Sequence, residues 1–179
     1  MSTKNLTREE ARHRYEIITV ERYHVRIDVR GADADGATHF TSSTRVRFST
    51  KEPDTFLDLL DGEIESVIVN DEEVEPEYDG SRIQLHGLHT HRKNLVVVTA
   101  KLPYQHTGQG LHRFVDPADG KVYLYTHFEA ADSRRMYSVF EQPDLKAHVD
   151  FDVIAPSDWR VASNQVHEDI REEENGLLH

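Results

Sequence analysis

The 179 residues include no cysteine, which excludes disulfides, thiolate metal sites and cysteine nucleophiles while fitting either redox compartment. No stretch approaches the roughly 18 consecutive apolar residues that a membrane-spanning helix needs. Residues 1–10, MSTKNLTREE, are polar and charged and lack the apolar core of a secretory signal. Neither export nor membrane spanning is indicated, and a cytoplasmic protein is the expectation. A basic run is also missing. With 33 acidic residues against 21 lysines and arginines, the formal net charge is −12. Nucleic-acid backbones and anionic membranes are therefore poor partners, and a cationic group is the ligand that the charge favours. There is no internal repeat and no low-complexity tract.

Enough apolar material remains for one domain. Hydrophobic residues make up 37% of the chain, above the range of disordered chains, and the length suffices to bury a substantial core. Thr7-Arg8-Glu9-Glu10 has the spacing of a capping box and predicts a short helix to about Ile17. From Val20 the period changes to two. Tyr23, Val25, Ile27 and Val29 fall on one face, with His24, Arg26 and Asp28 on the other. After the turn residues of 31–36, Phe40, Ser42, Thr44, Val46 and Phe48 alternate with polar neighbours, so two long antiparallel strands are predicted. Further strands are expected over 55–59, 65–69, 82–85 and 94–102, with turns at Asn70-Asp71 and Asp79-Gly80 and a central strand at Val96-Val97-Val98.

Beyond Leu102-Pro103 the pattern predicts a loop holding Gly108 and Gly110, a hairpin turn at Asp119-Gly120 and a strand over 122–128. A short helix is expected over 132–140, a strand over 145–155, and a returning strand over 159–163. The acidic stretch 167–175 reads as a solvated segment. Many short strands without βαβ alternation predict a mainly β fold, an antiparallel sandwich or saddle with a short N-terminal helix.

Three stretches carry more specific information: Gly-Gln-Gly-Leu-His-Arg-Phe-Val-Asp at 108–116, Tyr-Leu-Tyr-Thr-His-Phe-Glu at 123–129, and Arg-Arg-Met-Tyr-Ser-Val-Phe-Glu-Gln-Pro-Asp-Leu-Lys-Ala at 134–147. In this order they resemble the M1 aminopeptidase family, which shows Gly-Leu-Tyr or Gly-Leu-His, then Thr-Gln-x-Glu, then an arginine-containing turn and Pro-Asp-x-Lys-Ala. Together with Leu-Thr-Arg-Glu-Glu-Ala at 6–11, the likeness is to the actinobacterial aminopeptidase N type and spans most of the chain.

The resemblance implies a saddle-shaped, mostly antiparallel N-terminal domain packed against a thermolysin-like catalytic domain of the same polypeptide. Residues 1–165 would form that domain, and 166–179 an acidic boundary segment leading toward the catalytic part. The glutamate of Thr-Gln-x-Glu, which binds the α-amino group at the N-terminal end of a peptide substrate, is matched by Glu129. The glutamine that lines the pocket for the first side chain is replaced by His127, so pocket polarity here differs from the family pattern. An ionised carboxylate about 4 Å from an ammonium gains roughly 4 kcal/mol gross at an effective dielectric of about 20. Desolvation reduces this to about 1.5–3 kcal/mol. An acylated amino terminus could not make the interaction. From spacing alone, Glu129 reads instead as a strand-end carboxylate paired with Arg134 or Arg135.

Catalysis in this family needs zinc held by H-E-x-x-H and a later glutamate. Neither is present. His167-Glu168-Asp169-Ile170-Arg171 starts like the motif and ends on an arginine, which cannot ligate zinc. The family's Gly-Ala-Met-Glu-Asn strand and its downstream tyrosine are absent too. The chain alone is expected to bind no cofactor and to be inactive, with zinc supplied by the full-length enzyme. Among the 12 histidines, His86, His89 and His91, with His106 and His112, have ligand-like spacing but read as surface histidines near turns.

The alternative is a stand-alone β-sandwich module for binding or protein interaction. A self-contained hydrolase is weaker, since Ser133, Ser138 and Ser157 lack a G-x-S-x-G context and Asp150 and Asp152 alternate as solvent-facing strand residues. The apolar end at Gly176-Leu177-Leu178-His179 after an acidic stretch reads as a domain boundary. Met136, Tyr137 and Phe140 are the candidates for an exposed apolar face that a catalytic domain would cover, against ordinary core packing.

Overall fold

The computed structural model describes residues 5–166, 169–173 and 176–178. Helix α1 (Arg8–Ile17) starts at the capping box. Thr7 accepts from the Glu10 backbone N–H at 3.2 Å, and the Glu10 carboxylate accepts from the Thr7 N–H at 2.8 Å, satisfying two donors that the helix cannot. The same carboxylate takes the Arg82 guanidinium at 2.6 and 3.2 Å. That hydrogen bond, followed by the capping bond, lowers the Glu10 carboxyl from 4.5 to about 2. A depressed carboxyl contributes stability that is complete above its unfolded value and is lost as pH falls through its folded value. Stability is therefore expected to decline from about pH 4.5 toward 2, and Glu10→Gln to decline less steeply. Equal slopes in denaturant titrations across that window would remove Glu10 as a cause.

Twelve strands follow among the described residues: β1 (Ile18–Asp28), β2 (His39–Thr50), β3 (Thr55–Asp58), β4 (Glu63–Val69), β5 (Glu72–Val74), β6 (Arg82–Leu85), β7 (Asn94–Pro103), β8 (Gly110–Val115), β9 (Val122–His127), β10 (His148–Ala155), β11 (Arg171–Glu173) and β12 (Gly176–Leu178). Eight form one sheet in the order β11-β12-β10-β1-β2-β7-β4-β5, while β3-β6 and β8-β9 form two small sheets. The fold is thus mainly β, as predicted. β1 and β2 are antiparallel over nearly their full length, and a register shift between Val20 and Arg22 puts both Val20 and Tyr23 in the core.

The buried face of the large sheet consists of the alternating residues read from the sequence, among them Val25, Ile27, Val46, Phe48, Val96 and Val98. Leu57, Ile83 and Leu85 of the β3-β6 sheet and Leu111 of β8 join the same core. Asn70 and Asp71 have φ of 52° and 72° and turn β4 tightly into β5, a conformation these residue types tolerate.

Several expectations are corrected. Residues 132–140 hold only a 3-10 turn, Ser133–Arg135. Their backbone is claimed by tertiary partners: Val139 exchanges hydrogen bonds with Asp58 at 2.8 and 3.0 Å, and the Arg134 N–H goes to the Glu141 carboxylate at 2.8 Å. Met136, Tyr137 and Phe140 are core residues, not an exposed face. Phe140 packs edge-on against Phe48 with ring centroids 5.1 Å apart. Residues 159–163 do not form a strand, because the Trp159 N–H bonds the Pro156 carbonyl at 3.0 Å and closes a turn.

β10 pairs with β1 in parallel, which the antiparallel expectation did not include. The connection between them is long enough for the crossover that parallel pairing requires. In the acidic stretch, Arg171–Glu173 pairs with Gly176–Leu178 at the sheet edge, so that part is extended and paired. His167 and Glu168 lie outside the described residues, and Arg171 meets Asp169 at 3.0 Å.

One buried ion pair ties helix, sheet and crossover together. Arg14 contacts one oxygen of Asp58 at 2.9 and 3.0 Å, with side-chain exposures of 3% and 2%. Its Nε donates to Gln142 at 3.1 Å, and its guanidinium lies over the rings of Phe56 and Phe140 at 4.7 and 5.6 Å. Asp58 also accepts from the Glu141 N–H at 3.1 Å.

Candidate functional site

The β8-β9 hairpin pairs Gly110 with His127, His112 with Tyr125 and Phe114 with Tyr123. These six residues share one face. The alternate residues Leu111 and Leu124 pack inward against the core. Alternation thus leaves Tyr123, Tyr125 and His127 exposed on β9. The imidazole of His112 stacks on Tyr125 with centroids 4.7 Å apart. Its Nδ1 accepts from the Gly108 N–H at 3.0 Å, which puts the ring proton on Nε2 when His112 is neutral. Arg113 anchors the hairpin by donating to the carbonyls of Ala32 and Ala34 at 2.8 and 3.3 Å.

Glu129 lies just past β9, in a turn closed by the Asp132 N–H donating to the Phe128 carbonyl at 3.1 Å. The Glu129-Ala130 peptide is cis. Phe128 anchors the near side, its ring 6.0 Å from that of Tyr137. Arg134 anchors the far side, with Nε donating to the Ala131 carbonyl at 2.9 Å. Below it, the Glu141 carboxylate accepts from Ser133 Oγ and the Arg134 N–H, and burial raises its carboxyl above the ordinary value.

Gly110 needs its missing side chain. It has φ of +58°, and a Cβ there would stand 2.7 Å from the Cβ of Arg135. At Gly110 the hairpin therefore meets the Arg135 side chain through backbone alone.

The structure leaves Glu129 exposed, with no hydrogen bond or ion pair to a described residue. The pairing that spacing suggested does not form. Arg135 goes to Asp132 at 2.7 Å and toward Asp61 at 3.7 Å. Arg134 goes to the Ala131 carbonyl and to Asn5 Oδ1 at 2.8 Å. His127 and Glu129 are brought to the same end of the hairpin, on either side of the inward-packed Phe128. Asp132 and Arg135, which complete the turn, were not singled out as a pair from sequence. Their i,i+3 spacing was the available signal.

Among the described residues, no three His, Asp or Glu side chains converge as metal ligands. His86 is engaged by Asp54 at 2.9 Å and Glu77 at 3.6 Å, and the Asp54 hydrogen bond raises its pKa above the ordinary value. His89 hydrogen-bonds Arg92, and His106 meets the Arg113 carbonyl at 3.1 Å. His86, His89 and His106 are thus engaged with separate partners rather than with one another. Asp150 and Asp152 face outward and pair with Arg22 and His24, each at 2.8 Å. No helix among the described residues is long and apolar enough to cross a membrane.

Comparison with known proteins gives a consistent result. The chain is 45% identical over 168 residues to aminopeptidase N of Streptomyces lividans, covering 92% of this chain and 19% of that protein. It is 25% identical over 164 residues to a probable aminopeptidase 1 of Saccharolobus solfataricus, covering 89% of this chain and 19% of the relative. The chain thus spans about a fifth of the length of these relatives. Aminopeptidase A of Legionella pneumophila, solved with aspartic acid, superposes with a TM-score of 0.75 at 18% identity, over 90% of this chain and 19% of the other. An M1 zinc metallopeptidase of Deinococcus radiodurans bound to a Tyr-Ser-Ala substrate superposes with a TM-score of 0.69 at 14% identity, over 90% and 38%. At these identities the superpositions speak to the fold alone. The family model of the peptidase M1 N-terminal domain matches residues 20–179, and the chain belongs to that family.

Proposed function

We propose that this chain is the substrate-recognition and scaffolding domain of a zinc-dependent aminopeptidase, and that Glu129 binds the free α-amino group of a peptide substrate. The observation that carries the reading is an exposed carboxylate without a partner among the described residues, on a turn anchored through Phe128, Ala131 and Asp132. A carboxylate left uncompensated on an anchored backbone suits a substrate ammonium, because the turn itself needs little ordering on binding. His127 at the same hairpin end would line the pocket for the first side chain. Zinc and the catalytic base would come from a catalytic domain of the same polypeptide, toward which 166–179 leads.

The scaffolding role has its own support. Phe114, Val115, Tyr123 and Tyr125 of the hairpin and Val149 and Phe151 of β10 are between 41% and 51% exposed. A groove of about 700 Å3 runs between β9, β10 and 158–162. Exposed aromatics on the hairpin that leads into Glu129 suit burial against a catalytic domain that completes the site. This face replaces the Met136, Tyr137 and Phe140 face expected from sequence.

Two polypeptides test the proposal. The full-length protein is expected to cleave peptides with a free amino terminus and to leave acetylated ones intact. Residues 1–179 alone, supplied with zinc, are expected to cleave neither. Turnover by the isolated chain, or equal turnover of acetylated peptides by the full-length protein, would overturn it.

A further inference from the structure

We propose that Asp132 is a positioning residue for amine recognition, because it holds the Arg135 guanidinium and so keeps the Glu129 carboxylate open to a substrate ammonium. The inference rests on the assignment of Glu129 above.

A chain of contacts links the residues that flank Glu129. His127 lies opposite Gly110 in the hairpin register. Gly110 packs against Arg135 so closely that a Cβ could not be placed between them. Arg135 Nε donates to Asp132 Oδ1 at 2.7 Å, and the Asp132 N–H donates to the carbonyl of Phe128, the residue before Glu129. Arg135 therefore sits alongside the turn that presents Glu129.

A guanidinium in that place would ordinarily take the nearest free carboxylate and occupy the oxygens an ammonium needs. Asp132 prevents this. Its pair with Arg135 is largely shielded, with side-chain exposures of 12% and 18%, so solvent and salt screen it less than they would screen an exposed Glu129 contact. Asp61, at 3.7 Å from Arg135, is the more distant of the two acidic partners. On loss of Asp132, a guanidinium held only by Asp61 can swing to Glu129.

The test uses the full-length polypeptide and an aminoacyl p-nitroanilide. The amine contact is made before as well as during reaction, so its loss falls mainly on KM. Asp132→Ala is expected to raise KM about tenfold, the lower end of a charge-assisted hydrogen bond, with kcat changed less than about twofold. Adding Arg135→Gln to that variant is expected to bring KM back to within about twofold of the parent, since the competing guanidinium is then gone. A merely structural role would leave the double variant as impaired as the single one or worse, and that result would overturn the proposal, as would an unchanged KM for Asp132→Ala. Asp132→Asn keeps the side-chain shape and weakens the pair. It is expected to move KM in the same direction, so a folding defect in the alanine variant does not shelter the idea. Glu129→Ala measured in parallel separates the two levels. If it raises KM while the Asp132 variants are neutral, only the positioning role fails; if Glu129→Ala is itself neutral, the amine assignment fails.

Discussion

Glu129→Ala in the full-length polypeptide is expected to lower kcat/KM for free-amine substrates about tenfold to a hundredfold while leaving the melting temperature within about a degree of the parent. The first figure follows from losing a hydrogen bond to a charged group, worth about 1.5–3 kcal/mol, at about 1.4 kcal/mol per factor of ten. The second follows from the exposure of Glu129 and its lack of a partner among the described residues, since surface substitutions away from such partners change stability by less than about 0.5 kcal/mol. A des-amino analogue of the same substrate supplies the decisive control. Parent and variant should process it equally poorly, because the interaction being removed is then absent from both. A variant that discriminates between amine and des-amino substrates as strongly as the parent would exclude Glu129 from amine binding.

The largest stability effect is expected at the buried Arg14–Asp58 pair. Asp58→Ala removes the partner of a guanidinium that is almost inaccessible to solvent, and a buried charge left unpaired costs about 3–5 kcal/mol. The same substitution also strips the Glu141 N–H of its acceptor. Arg14→Met alone should be similarly harmful through the stranded carboxylate. The double variant Arg14→Met/Asp58→Ala is expected to cost clearly less than the sum of the two, because neither charge is then stranded. Chemical denaturation of the three variants measures this directly. Strict additivity would mean that the pair does not act as a unit.

Much of the framework was legible in the residues because it depends on short-range rules. The capping box, the alternation of Tyr23, Val25 and Ile27, and that of Phe40, Val46 and Phe48 concern neighbours a few positions apart, where period and turn chemistry act directly. The 132–140 segment was misread for the opposite reason. Its apolar residues recur at spacings that suit a helix, but its backbone groups pair with Asp58 and Glu141, and the first of these is remote in sequence. Met136 and Phe140 were candidates for an exposed face, with core packing as the alternative, and the irregular path buries them. The parallel pairing of β10 with β1 likewise depends on where a long connection returns, which periodicity does not encode.

For the candidate site, the order of motifs from Gly108 to Ala147 identified Glu129 and His127, and spacing offered arginine partners for the glutamate. Spacing alone could not say which carboxylate Arg135 would take, since Glu129, Asp132 and Asp61 are all available in the chain. The sequence by itself determined the β-rich class, the family and the short capped helix, all through local pattern, and it supplied Glu129 as the candidate carboxylate. Tertiary structure alone decided that Glu129 pairs with no described residue, that Gly110 seats the hairpin on Arg135, and that Phe114, Tyr123, Tyr125 and Phe151 are exposed while Met136 and Phe140 are buried. Those outcomes depend on distances between segments far apart in the chain, and only the packed core sets such distances.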